Sequence, residues 1–205
     1  MVEPRRELFF AFFVVQIFFV SSTREAAAQE RFEAGAQVTF ANSSEFDRLD
    51  VGFGGRLAWY PVELLGAEAE LNLYPRNFPV RVPFSRDRVE GLFGVTAGPR
   101  FAHARPFVRL RPGFVTFREA PQPIACILIF PPPLSCQLAA GRTLFVLDVG
   151  GGVELFTGGK SIVRVDAGDR MLKYPGPSFR TGGRATQDAF VSHDLRVAVG
   201  AGVRF

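Results

Sequence analysis

Residues 191–205 read VSHDLRVAVGAGVRF. Every second position is mostly apolar: Val191, His193, Leu195, Val197, Val199, Ala201, Val203 and Phe205. The positions between them are small or polar: Ser192, Asp194, Arg196, Ala198, Gly200, Gly202 and Arg204. A period of two is typical of a β-strand that has one apolar face and one polar face. We therefore predict a strand over residues 191–205.

Seven earlier segments alternate in the same way. They are residues 32–40, 51–59, 65–73, 93–101, 108–114, 145–155 and 163–171. Long connections alternate with short turns between these segments, as in an antiparallel up-and-down barrel. The sequence thus predicts an all-β fold, an eight-stranded antiparallel up-and-down transmembrane β-barrel. Proline cannot donate a hydrogen bond, so Pro112 predicts a bulge or a local break in the fifth strand.

Composition and charge narrow the possible classes of protein. The chain has 205 residues, of which 47% are hydrophobic and 21% charged, which excludes a disordered protein and indicates a single folded domain. Its net charge of +4 is carried almost wholly by arginines, which are spread along alternating segments. Because nucleic-acid binding requires a clustered basic patch, this distribution argues against it.

The amino-terminal residues predict a cleaved signal peptide over residues 1–28, followed by a barrel domain over 29–205. Arg5 and Arg6 precede an apolar run at 8–20, and three alanines at 26–28 offer a cleavage site. The alternative is a retained anchor, but these thirteen residues fall short of the roughly 20 that a spanning helix needs.

The two cysteines, Cys126 and Cys136, lie in a Pro-rich connection at 118–140. Because export leads to an oxidising compartment, we expect a local disulfide, with free thiols as the alternative. No histidine or acid lies between or beside them, which argues against a metal site. The apolar cluster at 127–130 within this connection is expected to fold back on the barrel rim.

The polar face of the predicted strands distinguishes a membrane barrel from a soluble lipocalin-like one. It is rich in glycine, which suits the narrow bore of eight strands. Its charges are balanced, as a buried ion network requires. The predicted network consists of Glu33, Arg56, Glu68, Glu70, Arg100, Arg109, Arg111, Asp148, Glu154, Arg164, Asp166, Arg170, Asp194 and Arg196. We therefore expect the charges inside and the apolar face toward lipid.

Aromatic residues near the ends of the predicted strands support the same assignment. Those at the short-turn end are Phe32, Trp59, Phe101 and Phe205, and those toward the long loops are Phe40, Phe53, Phe93 and Phe145. Two such bands are typical of the interfacial girdles of transmembrane barrels.

With these eight segments and the terminal aromatic residue, the chain resembles the small eight-stranded outer-membrane barrel family that includes OmpA and OmpX. The resemblance implies an outer-membrane location in contact with lipid. It also implies assembly by the barrel-assembly machinery, which in that family reads the last strand. The corresponding residues here are Val197, Val199, Ala201, Val203 and Phe205.

The sequence predicts no catalytic residues, no cofactor and no metal site, and hence no enzyme. His103 falls in a short turn, and His193 falls on the lipid side near the loop end. Ser192, His193 and Asp194 cannot form a triad as neighbours in one strand, because they point to opposite faces.

The function predicted from these patterns is a structural or interaction role through the extracellular loops of a filled barrel. A small-solute channel is the alternative. A soluble periplasmic binder and a lipid-A-modifying barrel enzyme are less favoured.

Overall fold

The computed structural model describes residues 31–43, 48–75, 87–120, 124–128, 134–176 and 188–205. The predicted signal peptide lies outside these residues. The strands are β1 Phe32–Ser43, β2 Arg48–Val62, β3 Leu65–Tyr74, β4 Arg88–Ala97, β5 Ala104–Phe117, β6 Arg142–Gly158, β7 Ser161–Tyr174 and β8 Phe190–Arg204. Two short helices, α1 Ile124–Leu128 and α2 Leu134–Ala139, lie between β5 and β6.

The eight strands close into a single barrel in chain order, and each pairs antiparallel with the next. β8 closes the sheet against β1, with Glu33 opposite Arg204 and Phe40 opposite Val197. Closure leaves none of the eight described strands as an edge strand. The predicted eight-stranded antiparallel barrel is confirmed.

The fourth strand differs from the prediction at both ends. Its predicted span of 93–101 is wrong, since β4 runs from Arg88 to Ala97. Beyond Ala97 the chain turns: Gly98 N–H donates to the Leu64 carbonyl, and Phe101 N–H donates to the Ala104 carbonyl. Pro99 has no N–H to extend the ladder. The strand therefore starts earlier in the chain and ends before Phe101.

Pro112 interrupts the pairing between β4 and β5. Leu92 pairs with Gly113, and the next pair is Val95 with Leu110, in unchanged register. On its other side Pro112 pairs with Leu147 of β6. The prediction of a bulge or break is thus resolved as a local break on the β4 side.

The turn between β6 and β7 depends on two glycines. Gly158 has φ of 106° and Gly159 has φ of 58°. Side chains with a Cβ seldom adopt such values, so glycine is favoured at both positions.

The connection between β5 and β6 contains the disulfide and both helices. Cys126 of α1 and Cys136 of α2 are bonded, with their Cα atoms 5.6 Å apart, which confirms the predicted disulfide. The cluster predicted to fold back on the rim does not do so in its described part, because Ile127 and Leu128 are exposed. Residues 129 and 130 lie outside the described residues. In the part of the chain that the structure describes, no helix is long and apolar enough to span a membrane.

Candidate functional site

We give the name charged bore to the barrel interior from its middle to its short-turn end. Thirteen of the fourteen residues of the predicted network are buried there. They are Glu33, Arg56, Glu68, Glu70, Arg109, Arg111, Asp148, Glu154, Arg164, Asp166, Arg170, Asp194 and Arg196. Strand alternation places them inward, because successive side chains point to opposite faces.

Arg111 on β5 is one centre of the ion pairs in the charged bore. Its guanidinium nitrogens lie 2.9 Å from Glu68, 2.6 Å from Glu70 and 2.6 Å from Asp148. The three acids come from β3 and β6, so a single side chain links strands across the bore. Guanidinium groups are suited to this role because they donate several hydrogen bonds in a fixed planar geometry.

Arg164 forms a second centre nearer the short-turn end. It contacts Glu68 at 2.9 Å, Glu154 at 3.2 Å and Asp166 at 2.8 Å. Glu68 is thus shared by Arg164 and Arg111. The ion pairs form a continuous network, in which each buried charge has a partner of opposite sign.

The sequence prediction missed several residues of the charged bore. Glu90 binds Arg170 at 2.6 Å, Arg105 binds Glu154 at 3.3 Å, and Arg204 contacts Glu33. Glu90 and Arg105 fell outside the predicted strands. Arg204 occupied an inward position of the last strand, and this alternation was the signal that could have identified it.

Arg100 was predicted to join the network, and that prediction is wrong. It is exposed, and it lies beyond the end of β4 in the turn that leads to β5. Its guanidinium carbon lies 5.0 Å from the centroid of the Phe156 ring. The earlier end of β4 removes Arg100 from the strand alternation.

Thirteen buried side chains of the predicted network occupy the charged bore. A cavity of about 10 Å³ lies beside Gln37, Arg56, Arg164 and Asp166. This volume is near the minimum that holds one water molecule. A barrel of eight strands is only wide enough for its own side chains, so such filling is expected.

On the β4 to β7 side, the interior at the long-loop end is apolar, and we call this region the apolar cap. It comprises Leu92, Val115, Phe117, Leu134, Leu138, Leu144, Val146, Leu172 and Tyr174, with Phe190 packed against it. Leu134 and Leu138 belong to α2, the other seven belong to strands β4 to β7, and Phe190 begins β8. Helix α2, which contains Cys136, is therefore seated in this end of the barrel.

On β5 and β6, the outer surface changes from apolar to polar at the level of the apolar cap. Phe114 and Phe145 are paired across β5 and β6 and are exposed on the outer face. Beyond them the outward positions are Thr116 and Thr143, whose hydroxyls are 3.0 Å apart. On β5 and β6 the outside thus becomes polar where the inside becomes apolar.

From the level of Phe114 and Phe145 toward the short-turn end, the outside of the barrel is apolar. The predicted aromatic bands are exposed there, with Trp59 at 45%, Phe93 at 52% and Phe205 at 57%. Large aliphatic residues such as Leu57 and Val108 are more than 60% exposed. This belt, wrapped around buried ion pairs, is the reverse of a soluble protein and requires lipid around it.

The two histidines lie outside the bore. His193 Nδ1 is 2.6 Å from Asp169 Oδ2, and both side chains are exposed on the outer surface. His103 is exposed in the short turn before β5. Among the described residues, no three side chains of the metal-binding types come together as a metal site.

Comparisons with known proteins bear on the fold. No family model and no curated protein matches the sequence. The crystal structure of Neisserial surface protein A matches with a TM-score of 0.52 and 16% identity, over 85% of this chain and 97% of that one. Ail, the attachment invasion locus protein of Yersinia pestis, matches with a TM-score of 0.41 and 15% identity over the same shares. With its apolar exterior and charged interior, the chain has the fold of the small eight-stranded outer-membrane β-barrels of the OmpA and OmpX type, and its place is the outer membrane.

Proposed function

We propose that the protein is a closed outer-membrane barrel that acts at the cell surface through the helices and loops of its long-loop end. The single observation that supports this most strongly is the set of ion-paired side chains that occupy the interior. Ion pairs fill the charged bore, and α2 is seated in the apolar cap above it. A small-solute channel, the alternative, requires a continuous water path, which such filling opposes.

Planar-bilayer recording tests the closed barrel. The purified protein is expected to give no steady conductance steps above the lipid baseline. A second variant carries Leu134→Asp and Leu138→Asp, which should expel α2 from the apolar cap. It tests whether α2 is the only barrier to ion flow through the barrel. It is expected to stay silent as well, because the charged bore remains filled. Ohmic steps from the unmodified protein would overturn the proposal.

The interaction role is supported by the apolar side chains that α1 presents. Ile127 is 76% exposed and Leu128 is 78% exposed. The disulfide from Cys126 to Cys136 anchors this helix to the seated α2. The long-loop end faces the outside of the cell in barrels of this kind, so these side chains are presented outward. Apolar groups exposed in this way are typical of contact surfaces.

Cell adhesion tests the interaction role. Bacteria that express the protein are expected to adhere to cultured host cells better than bacteria without it. Ile127→Ser combined with Leu128→Ser should reduce this adhesion at equal surface levels. Arg118→Gln, an exposed change at the same end, is the matched control. Equal adhesion with and without the protein would refute the interaction role and leave a structural one.

Assembly by the barrel-assembly machinery remains part of the proposal. Phe205 stacks on Phe32 with ring centroids 6.1 Å apart and exchanges backbone hydrogen bonds with it. Deletion of Phe205 should lower the amount of assembled barrel in cells more than it lowers the stability of the refolded protein. Normal surface levels of the truncated protein would contradict a role of Phe205 in assembly.

A further inference from the structure

Two ionisable side chains face outward from the barrel wall, and the proposed surface role does not involve them. They are His193 on β8 and Asp169 on β7. His193 Nδ1 lies 2.6 Å from Asp169 Oδ2, and the two side chains are 63% and 44% exposed. We call them the outer polar pair. Ionisable groups at membrane depth are energetically costly, and they commonly mark functional sites.

The outer polar pair lies in the apolar belt of the outer surface, near the long-loop end of that belt. Asp169 is opposite Val149 of β6 and opposite Leu195 of β8. These two neighbours are 39% and 61% exposed on the outer face. His193 is opposite Met171, two residues nearer the long-loop end. Apolar side chains that contact lipid therefore flank Asp169 on both sides.

Lys173 adds a positive charge on the same outward face of β7. It is one residue beyond Leu172, which is opposite Val146 of β6. Lys173 therefore stands in the row of Phe145, which marks the edge of the apolar belt on β6. Its side chain is exposed. The stem of a lysine can lie along apolar surface while its ammonium group reaches the polar head groups of the lipid.

His193 lies between Asp169 and Lys173. Met171 is the partner of His193 across the two strands, and the other two residues are its outward neighbours on β7. Diagonal neighbours on one face of an antiparallel pair are within reach of long side chains. The contact between His193 and Asp169 shows this for one diagonal, and Lys173 occupies the other. An imidazole and an ammonium group thus stand side by side at the edge of the belt.

The nitrogen atoms of this cluster that have no partner favour an anion as the ligand. Asp169 engages Nδ1 of His193 and leaves Nε2 open, since no other described residue forms a hydrogen bond with the ring. The Lys173 ammonium has no hydrogen-bond or ion-pair partner in the part of the chain that the structure describes. Asp169 balances a protonated His193, so the charge of Lys173 is left uncompensated. The local field therefore attracts an anion.

We propose that Lys173 and the outer polar pair bind a phosphate of lipid A, the glycolipid of the outer leaflet. Lys173 contacts the phosphate as a point charge, and protonated His193 donates to it from Nε2. Asp169 accepts the hydrogen bond from Nδ1 and thereby orients the ring. The long-loop end faces the cell exterior in barrels of this kind, so lipid head groups of the outer leaflet lie at this level. The proposal holds whether or not the long-loop end has a partner.

Native mass spectrometry of the purified protein, titrated with lipid A or with lipid A whose phosphates have been removed, tests the site. The unmodified protein should retain the phosphorylated form in preference. Lys173→Gln should weaken this binding about tenfold, the usual effect of losing one charged hydrogen bond. Arg118→Gln, the matched control, removes the same charge from an exposed position at the same end and should bind as the unmodified protein does. Equal loss in both variants would mean that net charge alone attracts the lipid and would overturn the site.

Asp169→Asn separates a built site from general attraction to a positive surface. The change makes the outer face more positive, so general attraction predicts tighter binding of phosphorylated lipid A. The proposal predicts binding that is about threefold to tenfold weaker, because the ring loses its orienting hydrogen bond and the support for its positive charge. His193→Gln should weaken binding as well, and His193→Arg should restore it. Tighter binding by Asp169→Asn would overturn the role of the outer polar pair.

Two further outcomes decide the identity of the ligand. Equal retention of lipid A with and without its phosphates would overturn a phosphate site. Displacement of lipid A by inorganic phosphate at equal concentration would assign the site to free phosphate and overturn the lipid assignment. The substituted side chains all lie on the outer surface, so the fold should persist, which heat-modifiable migration on gels would verify.

Discussion

The charged bore and the apolar cap are built by inward positions of the same strands. On β6, Asp148 lies in the bore and Val146, two residues away, lies in the cap. On β5, Arg111 and Val115 show the same change. The pairing of β6 with both neighbours continues without interruption from Val146 to Asp148, so the difference does not arise from secondary structure.

The difference between the two regions is explained by what lies outside the wall. Where lipid surrounds the barrel, an apolar side chain gains nothing by turning inward, and charged side chains must occupy the interior. Toward the long-loop end, beyond the lipid, the outer face of the barrel meets water. Apolar side chains that turn inward there are removed from water, and this burial stabilises the apolar cap. The paired Phe114 and Phe145 mark this boundary on the outside, with Thr116 and Thr143 beyond them.

Removal of a central cation from the charged bore should lower the free energy of unfolding more than any other change considered below. Arg111→Met removes one positive charge from the ion network. Glu68, Glu70 and Asp148 each keep another arginine partner. The charged bore is nevertheless left with one unbalanced buried charge, which costs about 3–5 kcal/mol. Urea unfolding in lipid vesicles measures the change. Arg118→Met, at an exposed position, should change the free energy of unfolding by less than about 0.5 kcal/mol. If Arg111→Met lowers the free energy of unfolding by less than about 1 kcal/mol, water must enter the charged bore and solvate the remaining charge.

Truncation in the apolar cap should have a smaller effect. Leu172 is 1% exposed, and Leu172→Ala should lower the free energy of unfolding by about 3 kcal/mol, because it leaves a cavity. Leu57, 63% exposed toward lipid, is the matched control. Leu57→Ala should cost about 1 kcal/mol, since lipid closes around the shorter side chain and only the transfer term is lost. Equal losses would mean that the cap is not a packed core.

Loss of the disulfide should affect the cap alone and have the smallest effect on the barrel. Cys126→Ser combined with Cys136→Ser should lower the free energy of local opening of α2 by about 2 kcal/mol, as expected for a short closed loop. Hydrogen exchange followed by mass spectrometry should show faster exchange in α2 and unchanged exchange in β2 and β3. Faster exchange throughout the barrel would indicate that the cap and the bore unfold together.

The alternation of the strands made the barrel and most of the bore predictable. Residues such as Arg109, Asp148 and Arg196 follow directly from the period of two. Errors arose at strand ends, where local hydrogen bonds decide the outcome. Arg100 was assigned inward because the turn at Gly98 and Pro99 was not anticipated, and Glu90 was missed because β4 begins at Arg88.

The apolar cap was not predicted, because alternation was interpreted with one face toward lipid along the whole strand. A signal was present, since residues 144–147 read LFVL, without polar interruption. Such a run is typical of a strand that is covered on both faces. The seating of α2 depends on packing between residues distant in the chain, which periodicity does not encode.

Depth-dependent quenching of tryptophan fluorescence tests the change of polarity along the wall most directly. Trp59 is the single tryptophan, so Trp59→Phe provides a silent background. In that background, Val149→Trp and Thr143→Trp place one reporter on each side of the Phe145 level of β6, both facing outward. We predict that Val149→Trp is quenched by lipids brominated near the bilayer centre, and that Thr143→Trp is quenched by aqueous acrylamide instead. Equal access of acrylamide to both positions would place the apolar face in water and contradict the account.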